Sequence, residues 1–235
     1  MSEKQVIAVI PARGGSKGIQ NKNITPVLGI PMIGRVITSL KNSLIFDDVV
    51  VSSDSEEILE ISEKFGANCF KRRTKELSND VTMTDEPVLE YLEYLEKKEN
   101  LPMYTFMIQC TSPFIEPTTY TSAFNELKKL KNGTVFSAEQ VNAFIWRRYN
   151  DQLSWNPVNH PFDVRIGRQF KGYIDVDESG GFYGFHTKGF LKKRHRFFEE
   201  VKPITLSRLE AIDIDTIDDL LYGEYLYSKV KNEKK

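Results

Sequence analysis

Residues 6–10 (VIAVI) form a continuous apolar run that stops at Pro11 and opens into a loop carrying Gly14, Gly15 and Gly18. A strand without polar alternation is buried on both faces, as in a parallel sheet covered by helices. The pattern repeats: residues 48–53 (DVVVSS), 67–71, 104–109 (YTFMIQ) and 134–138 read as further strands. Helical patterns lie between them. Residues 31–40 space Met32, Ile33, Val36, Ile37 and Leu40 along one helix face. Asp54, with Glu57 three residues on, reads as the cap of a helix over 58–65. Residues 84–99 form another, with Thr84 as cap and a Val88, Tyr91, Leu92 and Leu95 stripe. Residues 117–130 and 216–230 are helical, and 199–206 is a late strand. This alternation predicts an α/β fold with a doubly wound, mostly parallel sheet.

The pattern changes from about residue 144 to 185, where aromatic residues and turn signals replace helix signals. This stretch reads as a small β insertion, suited to a lid or a dimer contact. With 235 residues and no linker or repeat, the chain is expected to be a single domain, 1–235, carrying that insertion. A net charge of −1 argues against general nucleic-acid binding. No stretch suits a secretion signal or a membrane span, so a cytoplasmic protein is expected. Cys69 and Cys110 lack metal-ligand spacing and read as small buried hydrophobes.

Three stretches carry chemistry. The loop after the first strand holds Arg13, Ser16, Lys17, Lys22 and Asn23 around its glycines. Glycines let backbone N–H groups approach an anion, and converging cations need one between them. The loop matches neither Walker A nor G-x-G-x-x-G. Residues 211–216 (AIDIDT) put Asp213 and Asp215 on one face of an extended segment. The pair suits magnesium, which takes one or two carboxylates plus phosphate oxygens. Alternatively, Asp215 caps the last helix and Asp213 is merely exposed. Residues 108–113 (IQCTSP) end a strand, where open α/β sheets bind ligands, so Gln109 is placed to touch a substrate. Basic clusters at 71–73 and at Arg147, Arg148, Arg165, Arg168 and Lys171 read either as anion contacts or as surface charge. A phosphate cradle, a carboxylate pair and this sheet together point to nucleotidyl transfer.

IPARGGSKGIQNKNI, QCTSP and AIDIDT, in this order, resemble the CMP-sialic acid synthetase (acylneuraminate cytidylyltransferase) family. The resemblance implies a nucleotide-diphospho-sugar transferase-like fold and a homodimer built through the β insertion. It implies CTP and an acidic sugar, a nine-carbon 2-keto sugar acid, as substrates. The sugar's anomeric hydroxyl attacks the α-phosphate, with magnesium, giving a CMP-sugar and pyrophosphate. Arg13, Lys17, Lys22 and Asn23 match positions holding CTP phosphates and ribose, and Ser16 lies in the same loop. Arg73 looks like a nucleotide-contacting arginine, with Arg72 as a register alternative, and Thr84 matches a position near cytosine. Gln109 matches a residue between nucleotide and sugar. Asp213 and Asp215 match the metal ligands, and Asp213 also the group that helps deprotonate the hydroxyl. Arg13, Lys22, Asp213 and Asp215 form the implied catalytic set. Arg168, Gln169 and Tyr183 match sugar-side positions.

Two departures fall on the acceptor side. Ile115 replaces an arginine of the family's TSPLR, and Ser179-Gly180-Gly181-Phe182-Tyr183 lacks an asparagine and follows the acidic stretch 175–178. They point to an unusual acceptor: a modified nonulosonate, a Kdo-like octulosonate or another acid. A non-catalytic nucleotide-binding homologue and a glycosyltransferase are the competing readings. Retention of both aspartates opposes the first; a cradle suited to a free triphosphate opposes the second.

Overall fold

The computed structural model describes residues 5–15, 19–71, 85–151, 153–164, 167 and 172–233. Ser16, Lys17, Arg72, Arg73, Thr84, Arg165, Arg168, Gln169 and Lys171 lie outside the described residues.

The strands of the central sheet are β1 (Val6–Pro11), β4 (Asp48–Ser53), β5 (Asn68–Lys71), β6 (Tyr104–Ile108), β7 (Gly133–Val141), β10 (Asp175–His186) and β11 (Glu200–Thr205). Their spatial order is β11-β7-β10-β6-β1-β4-β5. Every pairing is parallel except those of β10, which runs antiparallel between β6 and β7. The remaining strands form two short hairpins, β2 (Pro26–Val27) with β3 (Ile30–Pro31), and β8 (Trp146–Arg147) with β9 (Asn156–Pro157).

The helices are α1 (Met32–Asn42), α2 (Glu56–Lys64), α3 (Asp85–Lys97), α4 (Pro117–Leu127), α5 (Thr187–Lys193) and α6 (Ile217–Glu233). Strand residues alternate between two cores. Val6, Ala8, Ile10, Phe106, Ile108 and Phe182 face α1 and α4. Ile7, Val9, Met107, Tyr183 and Phe185 face α3 and α5. Both faces of β1 are thus buried, as its unbroken apolar sequence requires.

The structure redraws three boundaries. Residues 175–185, read as part of the insertion, belong to the central sheet, so the excursion shortens to the chain between β7 and β10. The cap of α2 is Ser55, whose hydroxyl accepts from the Ile58 N–H at 3.4 Å, and not Asp54. Helix α5 was not anticipated: Lys188, Gly189 and Lys192 dilute its apolar stripe, although Phe190 is fully buried and stacked on Phe185 at 4.2 Å.

Candidate active site

The carboxyl ends of β1, β4 and β6 converge on one edge of the sheet, and the early part of β10 returns to it. The chain leaves β1 with the Ala12 N–H donating to the Ser52 carbonyl at 2.9 Å. The Gly14 N–H then donates to Asp54 Oδ1 at 2.9 Å. Asp54 therefore shapes this loop instead of capping α2. Buried Asn23 donates from Nδ2 to the Arg13 carbonyl at 3.0 Å, tying the two ends of the loop together. Asn21, at φ 53°, starts a single 3-10 turn over Lys22–Ile24. Lys22 leaves that turn to donate from Nζ to Asp215 Oδ1 at 2.5 Å. The basic loop and the carboxylate pair, 193 residues apart in sequence, are thus one site.

The segment carrying the carboxylates behaves as its alternation demands. Ile212 and Ile214 are buried, while Asp213 and Asp215 face outward together. The Ile214 N–H donates to the Thr111 carbonyl at 2.8 Å, fixing the segment against the exit of β6. Asp213 keeps an open face to solvent yet sits low among its neighbours. Desolvation raises its carboxyl above the ordinary aspartate value, and the charge of Asp215 adds to this. Thr111 and Lys22 oppose the rise without cancelling it. The Thr111 hydroxyl acts on Asp213 as a hydrogen-bond partner, while that of Ser112 is buried with no partner among the described residues.

Asp215 does not cap α6 with its side chain. Thr216 does: its hydroxyl accepts from the Asp219 N–H at 3.3 Å, and Asp219 Oδ2 accepts from the Thr216 N–H at 2.8 Å. The same oxygen accepts from the Asp215 N–H at 3.1 Å. This reciprocal cap holds Asp219 below the ordinary aspartate value, mainly through the Thr216 hydroxyl. Sequence reasoning missed Asp219, although the Thr-x-x-Asp spacing is a visible capping signal.

At the exit of β6, the Gln109 N–H donates to the Gly181 carbonyl at 3.0 Å. The Gln109 side chain makes no hydrogen bond among the described residues, so its amide is available to a ligand. Beside it β10 bulges. Glu178 pairs with Ala138 and Tyr183 with Phe136, so residues 179–182 face Ser137 alone. Gly180 takes φ +76°, the left-handed region glycine favours. A Cβ on Gly181 would come within 2.6 Å of Ile115 Cδ1. Ile115 is 3% exposed and belongs to the core beneath this bulge. In this chain the position that departs from TSPLR is thus filled by a packing residue.

Tyr183 lies on the opposite face of the sheet, nearly fully buried. Its hydroxyl donates to Glu178 Oε1, and the Arg196 guanidinium covers its ring at 4.4 Å. Burial pushes the hydroxyl's pKa up, Glu178 reinforces the rise, and Arg196 opposes it. Arg196 in turn donates from Nε to Asp85 Oδ1, 2.9 Å away at the start of α3. Sequence reasoning did not find Arg196; as one cation of a basic run, it carries no signal of burial.

Arg13, Lys22, Asn23, Gln109, Asp213 and Asp215 are therefore brought to one edge, while Tyr183 is joined to it through Glu178.

A family model described as Cytidylyltransferase matches residues 7–153. The chain is 33% identical over 231 residues to the pseudaminic acid cytidylyltransferase of Campylobacter jejuni, covering 97% of each chain. It is 28% identical over 228 residues to the CMP-N,N'-diacetyllegionaminic acid synthase of Legionella pneumophila, covering 94% of this chain and 96% of that one. Among solved structures, CMP:2-keto-3-deoxy-manno-octonic acid synthetase complexed with CTP aligns with a TM-score of 0.69. That alignment has 15% identity and covers 96% of this chain and 99% of that one, and it supports the fold. The strand order, the loop after β1 and a full-length match to a named cytidylyltransferase agree, and the chain belongs to the cytidylyltransferase family.

Proposed function

We propose that this chain activates a nonulosonic acid with CTP, releasing pyrophosphate and forming a CMP-sugar. The observation that carries the reading is the contact of Lys22 with Asp215, which makes the basic loop and the carboxylate pair one site. Matches over nearly the full length to relatives named for pseudaminic and diacetyllegionaminic acids support a nonulosonic acceptor.

The loop after β1 receives the triphosphate. Its N–H groups, with Arg13, Lys17 and Lys22, offset phosphate charge. Gln109 orients the sugar through an amide that both donates and accepts. The anomeric oxygen attacks the α-phosphorus as the bond to the pyrophosphate oxygen breaks. Asp213 takes the proton of the attacking hydroxyl.

Asp213 and Asp215 would hold magnesium. Burial first, and then the charge of Asp215, raise the Asp213 pKa, and the repulsive part is of the kind a divalent cation relieves. Among the described residues no group of three or more histidine, cysteine or acidic side chains gathers as a metal cluster. A carboxylate pair fits magnesium, which completes its shell with phosphate oxygens and water. When bound, the ion would supply Lewis-acid stabilisation of charge on the α-phosphate oxygens.

We assign the excursion between β7 and β10 to a homodimer contact. Leu153 is 97% exposed there and Ile174 75%, with Trp155 and Phe162 also outside. Such a concentration of exposed apolar side chains marks an interaction surface. Among the described residues no helix is long and apolar enough to cross a membrane. Dependence on CTP favours the cytoplasm.

The deciding experiment is pyrophosphate release from CTP and magnesium with a panel of pseudaminic, legionaminic, sialic and Kdo-type acids. Turnover with a nonulosonate supports the reading. Turnover with the Kdo-type acid alone refutes the acceptor, and silence with every acid refutes the activity.

A further inference from the structure

α1, α6 and the segment leading into α4 line an open hollow of about 240 Å³, to which neither Asp213 nor Asp215 contributes. Arg35, Ser39, Phe114, Tyr227 and Lys231 are among its lining residues. The volume is below the roughly 300–1,000 Å³ typical of drug-sized ligand pockets, so a small occupant fits best.

Its charge is unusual. The Arg35 guanidinium carbon lies 5.6 Å from the Phe114 ring centroid and 5.2 Å from that of Tyr227. The two rings are 5.8 Å apart, so the cation is held against both. Lys231 Nζ stands 4.9 Å from the Tyr227 centroid. The Arg35 Nε–H is buried and has no hydrogen-bond acceptor among the described residues. Among the described residues neither Arg35 nor Lys231 ion-pairs with a carboxylate, although Glu116 also lines the hollow.

A buried donor without an acceptor is costly. Stacking on aromatic rings satisfies the face of the guanidinium, and the Tyr227 hydroxyl engages both Arg35 and Lys231, but the buried Arg35 Nε–H keeps no acceptor and the Lys231 ammonium no carboxylate among the described residues. The natural complement to those groups is a planar or tetrahedral oxyanion, bound through charge-assisted hydrogen bonds. Tyr227 reports the same local field. Burial alone would raise its hydroxyl, but hydrogen bonds from Lys231 and Arg35, and then their charges, outweigh burial and the net shift is downward.

We propose that this hollow is a second anion site, binding the phosphate or carboxylate group of a small molecule between Arg35 and Lys231. It is separate from the cradle after β1, and the claim does not depend on which sugar the chain activates.

The test is an NMR spectrum of the arginine Nε–Hε groups of the full chain. The Arg35 resonance is identified by its loss in Arg35→Lys. Inorganic phosphate and sodium acetate are titrated separately, with sodium chloride at matched ionic strength as control. A saturating shift of the Arg35 resonance with phosphate or acetate, absent with chloride, supports the site, and the two salts show which oxyanion it prefers. Lys231→Gln, an exposed change, should weaken that response roughly tenfold. Arg13→Ala, which weakens the cradle, should leave it unchanged. An Arg35 resonance that stays still, or that moves alike in all three salts, overturns the proposal. So does a response lost in Arg13→Ala and kept in Lys231→Gln.

Discussion

The backbone N–H of Ile214 donates to the carbonyl of Thr111 across 2.8 Å, and this bond sets the two aspartates at the exit of β6. Ile214 lies between them in sequence and is fully buried, so its side chain aims both carboxylates outward. The position of the pair therefore rests on an apolar residue that touches no substrate.

Asp215→Asn should lower the rate of pyrophosphate release by about 100-fold or more, the scale of losing one electrostatic contact to the transition state. Its melting temperature should stay close to that of the parent, because the Lys22 pair is half-open to solvent. Near-parental turnover would remove Asp215 from the catalytic set.

Ile214→Ala tests the anchor. Truncating a fully buried isoleucine costs about 2–5 kcal/mol, and the freed segment should lower kcat more than it raises KM for CTP. A destabilised variant with unchanged kcat would show that the aspartates hold their place without the anchor.

The Asp219 cap has a pH signature. Its carboxyl titrates below the ordinary value of 3.8 in the folded chain, so its stabilisation is present above that value and fades as pH falls through the folded one. At neutral pH, Asp219→Asn removes a carboxylate charge from the first turn of α6 and should cost about 0.3–1 kcal/mol. The difference between parent and variant should shrink in urea melts performed below the ordinary value. A gap that persists in acid would mean the loss is not electrostatic.

Thiol chemistry checks the burial of β6. Desolvation pushes the Cys110 thiol up to about 12 and the Cys69 thiol up to about 11. At pH 8 both are thiols and poor nucleophiles. An aromatic disulfide reagent should label neither quickly, and Cys110 only after unfolding. Fast labelling of Cys110 in the native chain would contradict the packing at the end of β6.

Quaternary structure can be read from fluorescence. The chain's two tryptophans, Trp146 and Trp155, both stand exposed on the excursion. If a second copy covers them, Leu153→Lys should halve the mass found by light scattering and shift emission to the red. A parent chain that scatters as a monomer would end the dimer assignment.

The sheet was legible because its strands are written as unbroken apolar runs and its helices as periodic stripes. The site was legible where residue type and spacing coincide: Lys22 and Asn23 in the loop, and the alternating aspartates of 213–215. What the sequence hid were relations across distance. Nothing near Tyr183 announces Arg196 over its ring, and nothing in Phe114-Ile115 tells that the two enter different core clusters. The β10 strand was assigned to the excursion because a four-residue bulge with two glycines breaks its alternation at Gly180 and Gly181. Arg73, Thr84, Arg168 and Gln169 remain sequence expectations, since they lie outside the described residues.

The antiparallel strand at the middle of the sheet sets an order of assembly. β7 joins β6 only through β10, which follows it by more than thirty residues. A nascent chain that has emerged only through β7 can pair β5, β4, β1 and β6, but not close the sheet. Until residues 175–186 arrive, the edge of β6 stays open, and with it Phe106 and Ile108. Synthesis halted in the excursion would leave an unpaired apolar edge, the kind of surface that recruits chaperones or aggregates.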